Sequence, residues 1–243
     1  MIPDGAAPEP AATEPLRGQA ARWAGQRDRR RAEFVDAALG VIAEQGPTVS
    51  VEDIAARVGV ARTRIYRHFT DRADLERAIS GRVARLVVAD LEPLWHPQGS
   101  ARQMIAGAIG AYVRWIGDNR NLFLYLHAHA RPAPSSVSER GLIDDPNDLD
   151  AVSGVRRAVA AHLSRLFGGY LGWLGLDASV STDLGHAVVG MVESVADRWA
   201  AGGGTDPDVV IARLGEWTWA MLAETLAGAG VTLDPDLPLP PLG

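Results

Sequence analysis

Apolar residues recur along this chain at intervals of three and four, the period of helices buried on one side. After the basic approach Arg27-Asp28-Arg29-Arg30-Arg31, the positions Phe34, Ala38, Val41 and Ile42 make one stripe. Gly46-Pro47 should end that helix, since Gly frees the cap and Pro cannot continue the turn. Ser50 is placed to cap the next helix, with Asp53 three residues on to complete a capping box. That helix carries Val51, Ile54, Ala55 and Val58 and should stop at Gly59. A third, short helix holds Ile65, Tyr66 and Phe69; Asp71 caps a fourth, which runs through Leu75, Ile79, Val83, Leu86 and Val87 and gives out before Pro93.

Beyond the break at residues 96–100, two further segments have helical period, Ala101 to Asp118 and Asn121 to Ala130. The stretch Arg131 to Asp148, rich in Pro, Ser and acids, predicts a long loop. Three more helices follow, from about Asp150 to Leu174, Ser181 to Ala201 and Pro207 to Ala227. No strand pair or hairpin signal is present, so the expected fold class is all-α, with nine helices. The division expected is a disordered Ala/Pro/Glu-rich tail over 1–26, a helix-turn-helix domain over 27–70, a larger helical domain over 71–230 and a proline-rich extension over 231–243.

Composition narrows the chemistry. There is no cysteine, and all 24 basic residues are arginine, which excludes thiolate catalysis, Cys-ligated zinc, a P-loop lysine and a Schiff-base lysine. No G-x-S-x-G, H-E-x-x-H or post-strand G-x-G-x-x-G motif occurs, so no catalytic residues and no cofactor are expected. Glu193 and Asp197 lie one helical turn apart beside Arg198 and are expected at a surface or interface. His127 and His129 are two apart and fall on different helix faces, so no metal site is expected. With no apolar run long enough for a bilayer and no signal-peptide pattern at the start, the expected location is the cytoplasm, with no membrane partner. The net charge of −6 is unevenly spread: Arg17 to Arg85 carries +5, and the chain from Leu86 onward −8. A basic end joined to an acidic remainder suggests a nucleic-acid contact at one end only.

The segment Ser50 to Leu75, SVEDIAARVGVARTRIYRHFTDRADL, fits that contact. Two short helices flank a turn at Gly59-Val60, and Ala55 sits where the helices cross. Val51, Ile54, Val60, Ile65 and Phe69 should lock the pair onto the first helix, leaving Arg62, Thr63, Arg64, Arg67 and His68 outward with Tyr66 alongside. Arg pairs bidentately with guanine, Thr meets a thymine methyl, and Tyr and His reach phosphates. Ser50 and Arg72 begin flanking helices, where free N–H groups favour a phosphate. The DNA-binding candidates are therefore Ser50, Arg62, Thr63, Arg64, Tyr66, Arg67, His68 and Arg72.

This segment resembles the DNA-binding domain of the tetracycline-repressor (TetR) family in Ser50, Ile54-Ala55, Gly59-Val60, Tyr66-Arg67-His68-Phe69, Asp71 and Arg72, in register and without a gap; the match covers about Arg29 to Leu75. It departs at Ala61, where the family usually has a capping Ser or Thr, and at the bulky Arg62-Thr63-Arg64. The resemblance implies a homodimeric repressor released from a palindromic operator in double-stranded DNA by a small effector. It implies that the last two helices pair with their copies, and the dimer candidates on their stripes are Val188, Met191, Val195, Trp199, Leu214, Trp217 and Met221. A cavity between the fifth to eighth helices, with candidate lining residues Tyr112, Trp115, Phe123, His127, Tyr170 and Trp173, would take an apolar or amphipathic ligand. Nothing in the residues separates repression from activation, or decides whether the Arg29–Arg31 arm touches DNA.

Overall fold

The computed structural model describes residues 14–95, 97–129, 151–202 and 204–241. Among these residues the regular structure is helical, with one isolated antiparallel bridge between Ser100 and Pro238. The nine expected helices are α1 (Glu14–Gln45), α2 (Val51–Val58), α3 (Arg62–Ile65), α4 (Arg72–Asp90), α6 (Ala101–Asp118), α7 (Arg120–Ala128), α8 (Ala151–Trp173), α9 (Ser181–Gly202) and α10 (Pro207–Gly228); a single added turn, α5 (Glu92–Trp95), lies between α4 and α6. The first helix reaches back to Glu14, into the stretch expected to be a disordered tail. Pro15 is tolerated in a first turn, and the Ala, Arg and Gln residues behind it favour helix. Residues 1–13 of the expected tail, and the loop expected over Arg131–Asp148, lie outside the described residues.

The N-terminal unit is built on local chemistry that the sequence announces. Ser50 and Asp53 cap α2 reciprocally: the Asp53 amide donates to Ser50 Oγ (3.1 Å) and the Ser50 amide to Asp53 Oδ2 (2.9 Å). Gly59 ends α2 at φ 69°, a left-handed conformation that would strain any residue with a Cβ, and the Val60 amide returns to the Ala55 carbonyl at 2.9 Å. Helix α3 is shorter than expected. It closes at Ile65, and Tyr66–His68 form a tight turn in which the His68 amide donates to the Ile65 carbonyl (2.8 Å). Ala61 provides no side-chain cap, so nothing local holds this turn. Burial does: Val51, Ile54, Ala55, Ile65 and Phe69 are all within the core and pack against Phe34, Val35 and Ala38 of α1.

A polar clamp completes the unit. Arg31 of α1 makes a bidentate bond with Asp74 of α4 (Nη1–Oδ2 3.0 Å, Nη2–Oδ1 2.9 Å), donates to the His68 carbonyl and lies 4.2 Å above the Phe69 ring. Asp74 also accepts from the Thr70 amide at 3.0 Å. One guanidinium thus ties together α1, the turn after α3 and the start of α4.

The expected division at residues 70 and 71 falls in the turn before α4. Helix α4 leads into the larger unit, where α8 packs along α9 and α10 along α6. Gly185 sets the closeness of the α8–α9 pair: a Cβ there would lie 2.8 Å from the Ala160 carbonyl oxygen and 2.5 Å from Ser164 Oγ. The N-terminal unit rests on α7, with the Asn121 Nδ2 donating to the Ala43 carbonyl of α1 at 2.8 Å.

The hydrogen bonds from Arg31, more than any other influence, hold the Asp74 carboxyl down at about 2. Its contribution is complete above pH ~4, where the unfolded carboxylate is also ionised, and is lost as pH falls from about 4 towards 2. Asp74→Asn is expected to cost about 1–2 kcal/mol at neutral pH, after allowance for solvent screening, and to remove this part of the acid sensitivity. Urea denaturation of both proteins between pH 2 and 7 checks it; identical curves at neutral pH would contradict the clamp.

Candidate nucleic-acid interface and ligand cavity

With Ile65 pinned inward, the rest of α3 points to solvent: Arg62, Thr63 and Arg64 are exposed, as is Arg67 in the following turn. Arg62 is already engaged, donating to Glu52 of α2 at 2.6 Å and sitting 5.5 Å from the centre of the Tyr66 ring. Both partners of that ion pair are more than half exposed, so it is a weak pair that a phosphate or base edge can displace. Tyr66 is half-buried at the edge of this surface. Three arginines and a threonine therefore share one projecting face.

The remaining DNA-binding candidates are placed differently. His68 turns its ring towards Phe34, with centroids 5.5 Å apart and Nδ1 buried, because the preceding turn carries it towards the core. Burial, then the surrounding Arg27, Arg64, Arg30 and Arg31, push its pKa down, so it is a neutral edge-of-core residue and not the outward group expected. The hydroxyl of Ser50 is committed to its capping box, and Arg72 donates to Glu76 at 2.6 Å while staying exposed. Within the Arg29–Arg31 run, Arg31 is the clamp, Arg30 pairs with Glu33 at 2.6 Å, and Arg29 is exposed.

A cavity of about 220 Å³ opens inside the larger unit, between α4, α6, α7, α8, α9 and α10. Five of the six expected lining residues reach it: Tyr112, Phe123, His127, Tyr170 and Trp173. Trp115 does not; it is buried in the neighbouring core. Most of the wall comes from aliphatic side chains such as Leu163, Val189 and Leu222, which periodicity alone assigns to ordinary core. One end is polar. Glu193, expected at a surface or interface, faces the cavity and is bonded to Arg156 at 2.5 Å, while His127 Nδ1 lies 3.4 Å from Asp197. Burial raises the pKa of Glu193, against the opposing pull of Arg156, and burial likewise raises that of Tyr112 beside it. Thr218 contributes a hydroxyl buried in the wall with no hydrogen-bond partner among the described residues. From Arg156 to Tyr170 the cavity follows fourteen residues of α8, about 21 Å at 1.5 Å per residue.

The stripes chosen for a dimer face mostly serve the subunit's own interior. Val188 lines the cavity and Leu214 is wholly buried, so neither can meet a partner. Met191, Val195, Trp199 and Met221 are half-buried against the core, and Trp199 donates to the Thr205 carbonyl at 2.8 Å. Trp217 alone of the seven is exposed, at 45%. Around it the outward faces carry small side chains: Ala187, Gly190 and Ser194 on α9, Ala220 on α10.

Residues 34–79 match the family model described as bacterial regulatory proteins, tetR family. The chain is 24% identical over 222 residues to an uncharacterized HTH-type transcriptional regulator of Mycobacterium tuberculosis strain H37Rv, covering 91% of this chain and 89% of that protein. Among solved structures it is similar to a tetR-family transcriptional regulator from Streptomyces coelicolor (TM-score 0.62, 19% identity, 83% of each chain). It is also similar to the transcriptional regulator FadR from Bacillus subtilis in complex with stearoyl-CoA (TM-score 0.57, 17% identity, 77% of this chain and 96% of that one). With the capped α2, the Gly59 turn and the arginine-bearing α3 in place, residues 34–79 form a DNA-binding helix-turn-helix that matches the tetR family of bacterial regulatory proteins, on a chain that resembles transcriptional regulators over most of its length.

Proposed function

We propose that this regulator is a homodimeric repressor whose α3 surface reads a palindromic operator, and that a small, largely apolar ligand releases it. The observation that carries the reading is the shared exposure of Arg62, Thr63, Arg64 and Arg67 on a turn held firm from behind. Such a face suits the major groove, where Arg reads guanine and Thr a thymine methyl. Two copies are needed because a palindrome presents its half-sites about 34–36 Å apart on one side of the duplex. The small side chains of α9 and α10 let two copies approach closely, with Trp217 as the large apolar contact between them.

The aliphatic cavity supports an apolar ligand with a hydrogen-bonding group, for which the Thr218 hydroxyl and the Glu193 end are the available partners. The stearoyl-CoA bound by FadR is a precedent for a long apolar chain in this fold. Helix α7 is suited to pass the signal. Phe123, Leu126 and His127 face the cavity, while Asn121 bonds α1 and His129 lies 3.8 Å from Glu76, the residue that holds Arg72. A ligand that favours one position of α7 therefore biases the position of the reading head, through its differential affinity for the two states.

In gel-shift titrations with a palindrome-containing fragment from upstream of its own gene, the wild type should give a salt-sensitive shift. Arg64→Ala and Arg67→Ala should each weaken it by about tenfold and lower the salt slope by about one. Glu52→Gln, which frees Arg62 and removes a negative charge from the DNA face, should tighten binding by roughly two- to fivefold. The absence of any shift up to micromolar protein would overturn the reading. Sedimentation should show a dimer that Gly190→Arg converts to monomer without unfolding; a dimer unchanged by that substitution would place the pairing surface elsewhere.

A further inference from the structure

Residues 231–241, the expected proline-rich extension, are docked on the body of the protein. After α10 the chain turns at Gly230 and runs back across the start of α6. The Arg102 amide donates to the Pro235 carbonyl (3.0 Å), and the Leu239 amide to the Gly99 carbonyl (3.0 Å), beside the Ser100–Pro238 bridge. The first of these satisfies an amide in the opening turn of α6 that has no partner inside its own helix. Arg102 Nε also meets Asp236 at 2.8 Å, and the Tyr170 hydroxyl donates to the Pro240 carbonyl at 3.3 Å.

Two side chains of this segment, Leu233 and Leu239, complete the cavity wall at the end formed by Pro97, Ala101, Met104 and Tyr170. That end is opposite, along α8, to the polar end at Arg156 and Glu193. Prolines at 235, 238, 240 and 241 keep the segment extended and deprive it of donors, so it cannot join a helix and is fixed at few points. Those points are weak ones: the Arg102–Asp236 pair is more than half exposed on both sides, and only two backbone bonds anchor the stretch to residues 99–102. Apart from Pro97, Leu91 and Leu174, the wall elsewhere comes from helices. This is the part of it that can open at least cost.

We propose that residues 231–241 are a strap belonging to the ligand site: Leu233 and Leu239 contact the bound molecule and limit its length at the Tyr170 end, and the molecule enters and leaves by displacing the strap. The inference rests on the cavity being the effector site. A test uses full-length protein and the apolar fluorophore N-phenyl-1-naphthylamine. Leu239→Trp, which fills the strap end, and Val159→Trp, which fills the wall from α8, should each weaken fluorophore binding by about tenfold or more. The double variant Arg102→Ala with Tyr170→Phe, which removes the two side-chain tethers and leaves the backbone bonds and the leucines in place, should raise both association and dissociation rates by about fivefold or more. In the wild type, hydrogen exchange at the Arg102 and Leu239 amides should slow when the fluorophore saturates; this readout needs no variant to fold. If Val159→Trp blocks binding while the strap variants and the two amides behave as if nothing had changed, the strap proposal fails alone. If the wild type binds no fluorophore, the effector-site reading fails and takes the strap with it.

Discussion

The bond between Arg31 and Asp74 is the constraint from which the exposed arginine face of α3 follows. Helix α3 has four residues and no side-chain cap, and a single turn of that kind has no stability of its own in water. What fixes it is external: Ile65 and Phe69 sunk into the core, and the Arg31 guanidinium gripping both the His68 carbonyl at its end and the Asp74 carboxylate beyond it. Because the main hold comes from behind, the outward face of α3 and of the turn after it carries Arg62, Arg64 and Arg67, of which Arg62 is held by an exposed pair with Glu52, and such lightly committed side chains can serve a partner.

The same brace is the first joint between the two halves of the chain. Asp74 lies in the first turn of α4, Glu76 two residues further on holds Arg72 and approaches His129, and His129 caps the end of α7, which carries the cavity residues Phe123 and His127. No long-distance mechanism is needed for a ligand to influence the reading head. In the proposed mechanism it would only have to shift a nine-residue helix that already touches both. Couplings of this kind are typically about 1–3 kcal/mol, enough to change operator occupancy by one or two orders of magnitude.

How far the sequence speaks depends on whether the deciding physics is local. The capping box at Ser50, the left-handed turn at Gly59 and the helix periods are local, and the helices they mark are present, with α3 closing early at Ile65 and α1 starting at Glu14. The placement of Arg62, Thr63, Arg64 and Arg67 followed because one face of a short helix must be outward if Ile65 and Phe69 are inward. The failures lie where periodicity reports burial without saying against what. Val188 and Leu214 belong to apolar stripes, but the stripes face the subunit's own cavity and core, and the outward faces that remain are marked by small residues that carry no hydrophobic signal. Trp115 and Tyr112 sit one turn apart on α6, yet only Tyr112 meets the void. Glu193 looked solvated beside Arg198 because its true partner, Arg156, is 37 positions away on another helix. The docking of residues 231–241 on the start of α6 is likewise invisible in a run of prolines, since its bonds are all long-range in sequence.

The repressor proposed above requires two braced heads that address one face of DNA together and whose separation changes when the cavity is filled. Since the chain has no cysteine, Ala56→Cys on exposed α2 admits a single spin label per subunit, and pulsed dipolar spectroscopy can measure the distance between the two labels. With operator bound, the account predicts one narrow distance population corresponding to reading helices about 34–36 Å apart, displaced or broadened when an apolar ligand fills the cavity. No inter-subunit distance, or a distribution unchanged by both DNA and ligand, would contradict it.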